Sequence, residues 1–346
     1  MKRSFHLFTA LAVLGGASTL FLNDRAAHSQ ANPQVVASYS VLCDLTEQIA
    51  QDTLDVTCLI EAGEDPHIYN ATPADRRAIE SADLILYGGY GFEPDIIQMV
   101  EATDGDTPQI AVSEVAVPEP LLGAAHDHGS HDEHGHDEHG HDEHGHDEHD
   151  KHGEEDSEPD PHVWHDAENG IAMVRTIQTQ LSEVFPDNAD LYQANAQSLI
   201  AQLTELNTWI EQQVDTVPES QRVLVSTHDA LGYYAEAYGI RIESALASVS
   251  TEARPSAADL RELIDVVEGS NIPAIFIEST SNPGLIEAVS RETDIGISEA
   301  PLYADSLGEA GTPASTYTGM LMTNTCTIVS GLGGRCNEAA AQAFLE

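Results

Sequence analysis

The run Arg222-Val223-Leu224-Val225-Ser226-Thr227-His228 is an apolar segment of strand length that ends on an imidazole. Seven further short apolar runs, at 34–39, 54–60, 83–87, 109–112, 240–243, 274–278 and 295–298, alternate with helical patterns. Strands separated by helices predict parallel sheets and an α/β fold. Such sheets bind ligands at the carboxyl ends of their strands, which is where His228 stands.

Between the two groups of runs, residues 188–214 place Leu191, Ala194, Leu199, Leu203, Leu206 and Ile210 at helical spacing, with no proline or glycine inside. This predicts one long helix. With strand-rich sequence on both sides, it is either a strut joining two lobes or a surface helix of a single domain. The length of 346 residues accommodates two domains, each with its own core. Thr72-Pro73-Ala74-Asp75 reads as a helix start, with a threonine cap, proline at the first position and an acid at the third. It leaves His67 on the loop just before that helix.

Lys2 and Arg3, an apolar stretch over 5–22 and small residues around Ala27, Ser29 and Ala31 predict a secretory signal peptide over 1–31. A retained membrane anchor is the other reading, since the apolar run is near the lower limit for crossing a bilayer. No cysteine follows it closely enough for lipid attachment. Removing 1–31 leaves 10 basic and 58 acidic residues, from 13 and 59 in the whole chain, a net charge of about −48. Nucleic acid and anionic lipid are poor partners for such a surface, and a salty habitat would screen its self-repulsion. In an exported chain Cys43, Cys58, Cys326 and Cys336 read as disulfides. The pairing Cys43 with Cys58 and Cys326 with Cys336 closes the two short loops; two other connectivities exist, as does a state with free buried thiols.

Histidine is the most unevenly spent residue. The pentad His-Asp-Glu-His-Gly repeats from His131 to Asp150, and eleven histidines fall between His126 and His152. The segment 126–158 has almost no apolar residues to offset the entropy of ordering, which predicts a disordered, metal-capturing loop. Two copies of Asp-Pro-His flank it, Asp65-Pro66-His67 and Asp160-Pro161-His162, and proline restricts the backbone just before each imidazole. With His228 and with Asp305, in the turn Leu302-Tyr303-Ala304-Asp305-Ser306, they make a candidate set of three imidazoles and one carboxylate, complete for tetrahedral Zn²⁺. Taken singly, each of these histidines is more commonly a satisfied polar residue than a ligand.

Five segments together settle that choice: Gly-Glu-Asp-Pro-His-Ile-Tyr-Asn-Ala-Thr-Pro-Ala-Asp (63–75), Asp-Pro-His-Val-Trp (160–164), Ser-Thr-His-Asp-Ala-Leu-Gly-Tyr-Tyr-Ala-Glu-Ala-Tyr-Gly (226–239), Ile-Phe-Ile-Glu-Ser (275–279) and Tyr-Ala-Asp-Ser-Leu-Gly (303–308). In this order, over nearly all of the chain after the leader, they resemble the zinc- and manganese-binding receptors of ABC importers, the ZnuA/TroA type. The resemblance implies two α/β lobes with parallel sheets, 32–187 and 215–346, joined by the helix at 188–214. It places a metal in the cleft between His67 and His162 of one lobe and His228 and Asp305 of the other. It also implies a monomeric periplasmic receptor that delivers its ion to an ABC permease driven by a cytoplasmic ATPase. The mature chain would not insert into the membrane.

The His-rich loop, common at this position in zinc receptors of the type, argues for Zn²⁺ as cargo. Mn²⁺ or Fe²⁺ is the alternative, although relatives that carry those ions tend to have a carboxylate at the place of His228, and Mn²⁺ prefers oxygen. One residue departs from the pattern. At His165 the motif normally continues with an apolar side chain, so this imidazole is a group behind the ligands, an alternative ligand or a solvent-facing residue. The rival from another class is a zinc hydrolase, which needs an open coordination position and a general base. Here Asp305 fills the fourth position and no His-Glu-x-x-His arrangement occurs, so the expectation is a binding protein and not an enzyme.

Overall fold

The computed structural model describes residues 32–103, 105–124, 157–244, 248–252, 257–270 and 272–341. The predicted leader and the His-rich segment up to residue 156 lie outside the described residues. In the first lobe β1 (Gln34–Tyr39), α1 (Ser40–Ala50), β2 (Asp55–Ile60), α2 (Pro73–Ser81), β3 (Leu84–Tyr87), α3 (Pro94–Glu101), β4 (Gln109–Ala111) and α4 (Val112–Ala116) alternate. The strands run parallel in the order β2-β1-β3-β4, with Val35 opposite Val56 on one side and Leu84 on the other. All of β1 after Gln34 is buried, as a strand covered on both faces must be, and so it reads as a continuous apolar run. Thr72 caps α2 as its sequence suggests: its hydroxyl accepts from the Ala74 and Asp75 amides, while Asp75 Oδ2 accepts from the Thr72 amide at 2.6 Å.

An antiparallel ribbon follows, β5 (Leu122–Ala124) and β6 (Ser157–Pro159), in which Gly123 faces Glu158. It shortens the predicted loop, because Ser157 and Glu158 belong to the ribbon. Gly123 is needed there, since a Cβ on it would come within 2.2 Å of Val249 Cγ1. Helix α5 (Ala167–Val184) leads to α6 (Ala189–Val214), the long helix expected over 188–214, with Asn188 left in the turn ahead of it. Tyr192, Leu199, Leu203, Leu206 and Ile210 of α6 are buried.

The second lobe comprises β7 (Val223–Ser226), α7 (Gly232–Tyr238), β8 (Arg241–Ser244), α8 (Ala257–Gly269), β9 (Ala274–Ile275), α9 (Gly284–Thr293) and β10 (Gly296–Ile297). β7 pairs in parallel with β8, and β9 with β10. The Phe276 amide donates to Val225 O at 2.9 Å and brings β9 beside β7, so the order β8-β7-β9-β10 repeats that of the first lobe. The run predicted over 274–278 is shorter as a strand: Glu278 leaves the ladder for a single parallel bridge with Leu302, which frees its carboxylate to turn toward β7. Helices α10 (Tyr317–Gly331) and α11 (Glu338–Ala341) follow.

Helix α6 packs on α1 and α5 on the first-lobe side and on α7 and α10 on the other, so it joins the two lobes. One apolar cluster runs from Val35 through α6 to Leu332, and a smaller one fills the second lobe around Val225, Ile275, Val267 and Ile286. Tyr317, at the start of α10, reaches back to the first lobe: its amide donates to Asp44 Oδ2 at 2.8 Å and its hydroxyl to Trp164 O at 2.6 Å. A shared apolar core of this kind holds two lobes in fixed relation. Disulfides Cys43–Cys58, between α1 and β2, and Cys326–Cys336, between α10 and the segment after it, match the short-loop pairing. Among the described residues no helix is long and apolar enough to cross a membrane.

Candidate metal centre

Each of the four predicted ligands sits where backbone geometry pins it. Gly63, with φ of +86°, turns the chain out of β2, and Asp65 Oδ1 accepts the amide of His67 at 3.0 Å across Pro66. The second Asp-Pro-His repeats that turn, with Asp160 Oδ1 accepting the His162 amide at 3.0 Å. His228 lies two residues beyond β7, and Asp305 three beyond the Leu302 bridge. The Gly63 amide donates to the Ser306 hydroxyl at 2.7 Å and Thr251 donates to Asp65 Oδ2 at 2.7 Å, so the first-lobe loop is tied to the second lobe on both sides of the site.

All four side chains are buried and converge, with one potential ligand atom from each lying within 4.8 Å of the others. Asp305 Oδ1 is 3.5 Å from His67 Nε2, 3.2 Å from His162 Nε2 and 3.2 Å from His228 Nε2, and the first two imidazole nitrogens are 3.2 Å apart. A tetrahedron with metal–ligand bonds of ~2.0–2.1 Å has edges of about 3.3 Å, so these four separations suit a single small ion. Although His228 Nε2 and Asp305 Oδ1 are close, the angles between them make no hydrogen bond, and both atoms are buried without a partner. Orphaned polar atoms are costly in an interior, and these two, among several in the described residues, face the centre.

Carboxylates behind the imidazoles decide which nitrogen is offered. His162 Nδ1–H donates to Asp160 Oδ1 at 2.7 Å and His228 Nδ1–H to Glu278 Oε2 at 2.5 Å, leaving each Nε2 lone pair toward the centre. The other oxygen of Glu278 accepts the amides of Thr227 and His228. His67 is held by packing: Phe92 meets its ring edge to face at 5.0 Å, and also meets His162 and Trp164.

Charge balance follows from these contacts. Burial pushes His67 down to about 4 and keeps it neutral. Burial pulls on His162 and His228 the same way, but the hydrogen bond to Asp160 and the charges of Asp160 and Asp305 raise the first, and the charges of Glu278 and Asp305 raise the second well above its usual value. Burial would raise Asp305, yet His228 and the neighbouring imidazoles hold it well below the carboxylate range. Protons on His162 and His228 therefore compete with a cation for this anionic centre.

His165 stands apart from the four. It is buried, not solvent-facing, and its Nε2–H donates to Ala304 O at 2.8 Å, immediately before Asp305; burial pushes it down to about 3. The sequence reading missed the roles of Asp160 and Glu278, although both lie inside motifs quoted for other reasons, and of Thr280, whose hydroxyl donates to Asp305 Oδ2 at 2.7 Å. Phe92 carried no sequence signal, because an apolar residue before an acid is unremarkable without the fold.

Residues 35–331 match the family model described as zinc-uptake complex component A, periplasmic (ZnuA). The chain is 31% identical over 299 residues to the manganese-binding lipoprotein MntA of Halalkalibacterium halodurans, covering 86% of this chain and 88% of that one. It is 30% identical over 327 residues to the zinc-binding protein TroA of Treponema pallidum, covering 93% and 96%. The solved structure of the periplasmic zinc-binding TroA of Treponema pallidum superposes with a TM-score of 0.75 at 30% identity, over 88% of this chain and all of that one. Proteins of this kind are receptors and not enzymes, and they work with a membrane permease and its ATPase. The matched span takes in both sheets, the long helix and all four converging side chains, and the chain belongs to the ZnuA family of metal-binding receptors of ABC importers.

Proposed function

We propose that this protein captures Zn²⁺ outside the cytoplasm through His67, His162, His228 and Asp305 and delivers it to the permease of an ABC importer. The observation that carries the reading is the donor set: three imidazole Nε2 atoms around one carboxylate oxygen at 3.2–3.5 Å, two of the rings oriented by carboxylates. Nitrogen-rich, four-donor sites suit Zn²⁺, whereas Mn²⁺ favours six oxygen donors. The export that the leader 1–31 predicts supplies the compartment. The first cysteine, Cys43, is bonded to Cys58, which favours a soluble receptor over a lipid-anchored one.

Manganese is the second reading, since several relatives are named for it. The test is metal analysis of protein purified without chelators or a His-tag, followed by zinc and manganese competition on one sample. Zinc at one tight equivalent supports the proposal, and retention of manganese against equimolar zinc overturns it. A zinc-uptake defect in a deletion strain would separate delivery from passive buffering.

A further inference from the structure

Asp305 presents its two oxygens to different neighbours. Oδ1 faces the three imidazole nitrogens and has no hydrogen bond, whereas Oδ2 accepts the hydroxyl proton of Thr280 at 2.7 Å. We propose that Thr280 sets the coordination number of the bound ion by holding Oδ2 of Asp305 away from it, which makes the centre selective for a four-coordinate cation. The inference rests on the zinc reading above and names the residue that would enforce it.

The loop 278–281 is built for this. Its first residue, Glu278, is bridged to Leu302 and bonded to His228, and the Ser279 amide donates to Leu302 O at 2.8 Å. Ser281 donates to Glu278 Oε2 at 2.7 Å. Thr280 thus projects from a loop fastened on both sides, opposite a ligand whose preceding carbonyl is held by His165. With Oδ2 engaged, the carboxylate offers one atom and the centre four in all. Without the hydroxyl, rotation of the carboxylate would let both oxygens reach the ion, giving five donors and a geometry closer to what oxygen-seeking Mn²⁺ accepts. Thr280 is a positioning residue, because it touches the ligand and not the metal.

The test uses the full mature chain as the wild type, as Thr280→Val, which keeps the shape and removes the donor, and as Thr280→Ser, which restores it. Co²⁺ is the probe, since its visible absorption is intense in a tetrahedral site and weak at higher coordination; zinc and manganese affinities are measured in parallel. Wild type and Thr280→Ser should show the intense band. Thr280→Val should lose most of it, and its zinc-to-manganese affinity ratio should fall about tenfold, the usual scale for groups behind a metal ligand. An unchanged band and ratio in Thr280→Val, with a tetrahedral wild type, would overturn this inference and leave the zinc reading standing. A weak band in the wild type itself would sink both. Thr280 is only partly buried, and Thr280→Ala gives a second measurement if the valine variant folds poorly.

Discussion

The two lobes repeat one strand order, β2-β1-β3-β4 and β8-β7-β9-β10, and each keeps a buried glutamate behind the carboxyl end of its third strand, yet they use it differently. In the second lobe Glu278 accepts the Thr227 and His228 amides next to β7 and the ring proton of His228. In the first, Glu93 accepts the Ser38 hydroxyl of β1 and the Gly88 amide, each at 2.6 Å, with no imidazole against it. Burial pushes Glu93 up to about 7, while His228 is raised well above its usual value, against the pull of burial, by the charges of Glu278 and Asp305. The first lobe positions its ligands by proline turns and aromatic packing, with one charged hydrogen bond from His162 to Asp160, whereas the second holds His228 through a glutamate that also anchors two amides. A repeated sheet therefore fixes where ligands emerge but leaves open how they are held.

Removing a second-lobe ligand should have the largest effect. If the ~10–16 kcal/mol typical of zinc sites is shared over four donors, His228→Ala gives up about 3 kcal/mol, a hundredfold or more in affinity. The loss should exceed that in His67→Ala, because His228 is a ring that a buried carboxylate orients toward the centre, whereas His67 is held by packing. Calorimetry showing unchanged tight zinc binding in His228→Ala would remove the four-residue assignment.

Glu93→Gln tests the other half of the comparison at similar size. The glutamate's folded value, about 7, lies above its ordinary 4.5, so folding favours the protonated form. Its stabilising contribution is complete below pH 4.5 and is lost as pH rises through about 7. Chelator-treated wild type should lose on the order of 3 kcal/mol relative to Glu93→Gln between pH 4.5 and pH 8. Parallel stability curves for the two proteins would mean that Glu93 is ionised in the fold and that the lobes hold their glutamates alike.

Much of this was legible beforehand. Eight apolar runs became the eight strands of the two sheets, because consecutive burial on both faces leaves an unmistakable pattern, and the long helix was found to within one residue. The three histidines that converge with Asp305 were readable as candidates because Asp-Pro-His turns and a histidine at a strand end are local features. Glu278 and Thr280 were not assigned, since their contacts with His228 and Asp305 cross 50 and 25 residues of chain; Asp160, two residues from His162, needed only the turn geometry that folds its carboxylate back on the ring. The ribbon β5–β6 escaped for a related reason: three-residue strands bounding a polar segment have no periodicity to detect.

The carboxylates behind the rings give a finer comparison. Asp160→Asn and Glu278→Gln each keep an acceptor, and each should weaken zinc binding about 10- to 100-fold. The second should cost more, since Glu278 also anchors two amides and supplies charge that raises His228. Equal losses in the two variants would show that ring orientation alone matters and that the charge difference between the lobes is incidental.

The smallest effect on the tight site is expected from deleting residues 126–156, which keeps the ribbon that positions Asp160 and His162. Eleven histidines lie in that segment, so the deletion should lower total zinc stoichiometry by several equivalents. A sequence of this composition has no apolar surface to offset ordering, and each ion it takes must organise chain that the four buried side chains have already organised. Its ions should therefore bind more weakly and be released first as pH falls through the ordinary imidazole value near ~6.5. Zinc titration of the deletion variant should retain one tight equivalent with an unchanged affinity. Loss of that equivalent would mean that the segment supplies a primary ligand and that the two lobes do not complete the site alone.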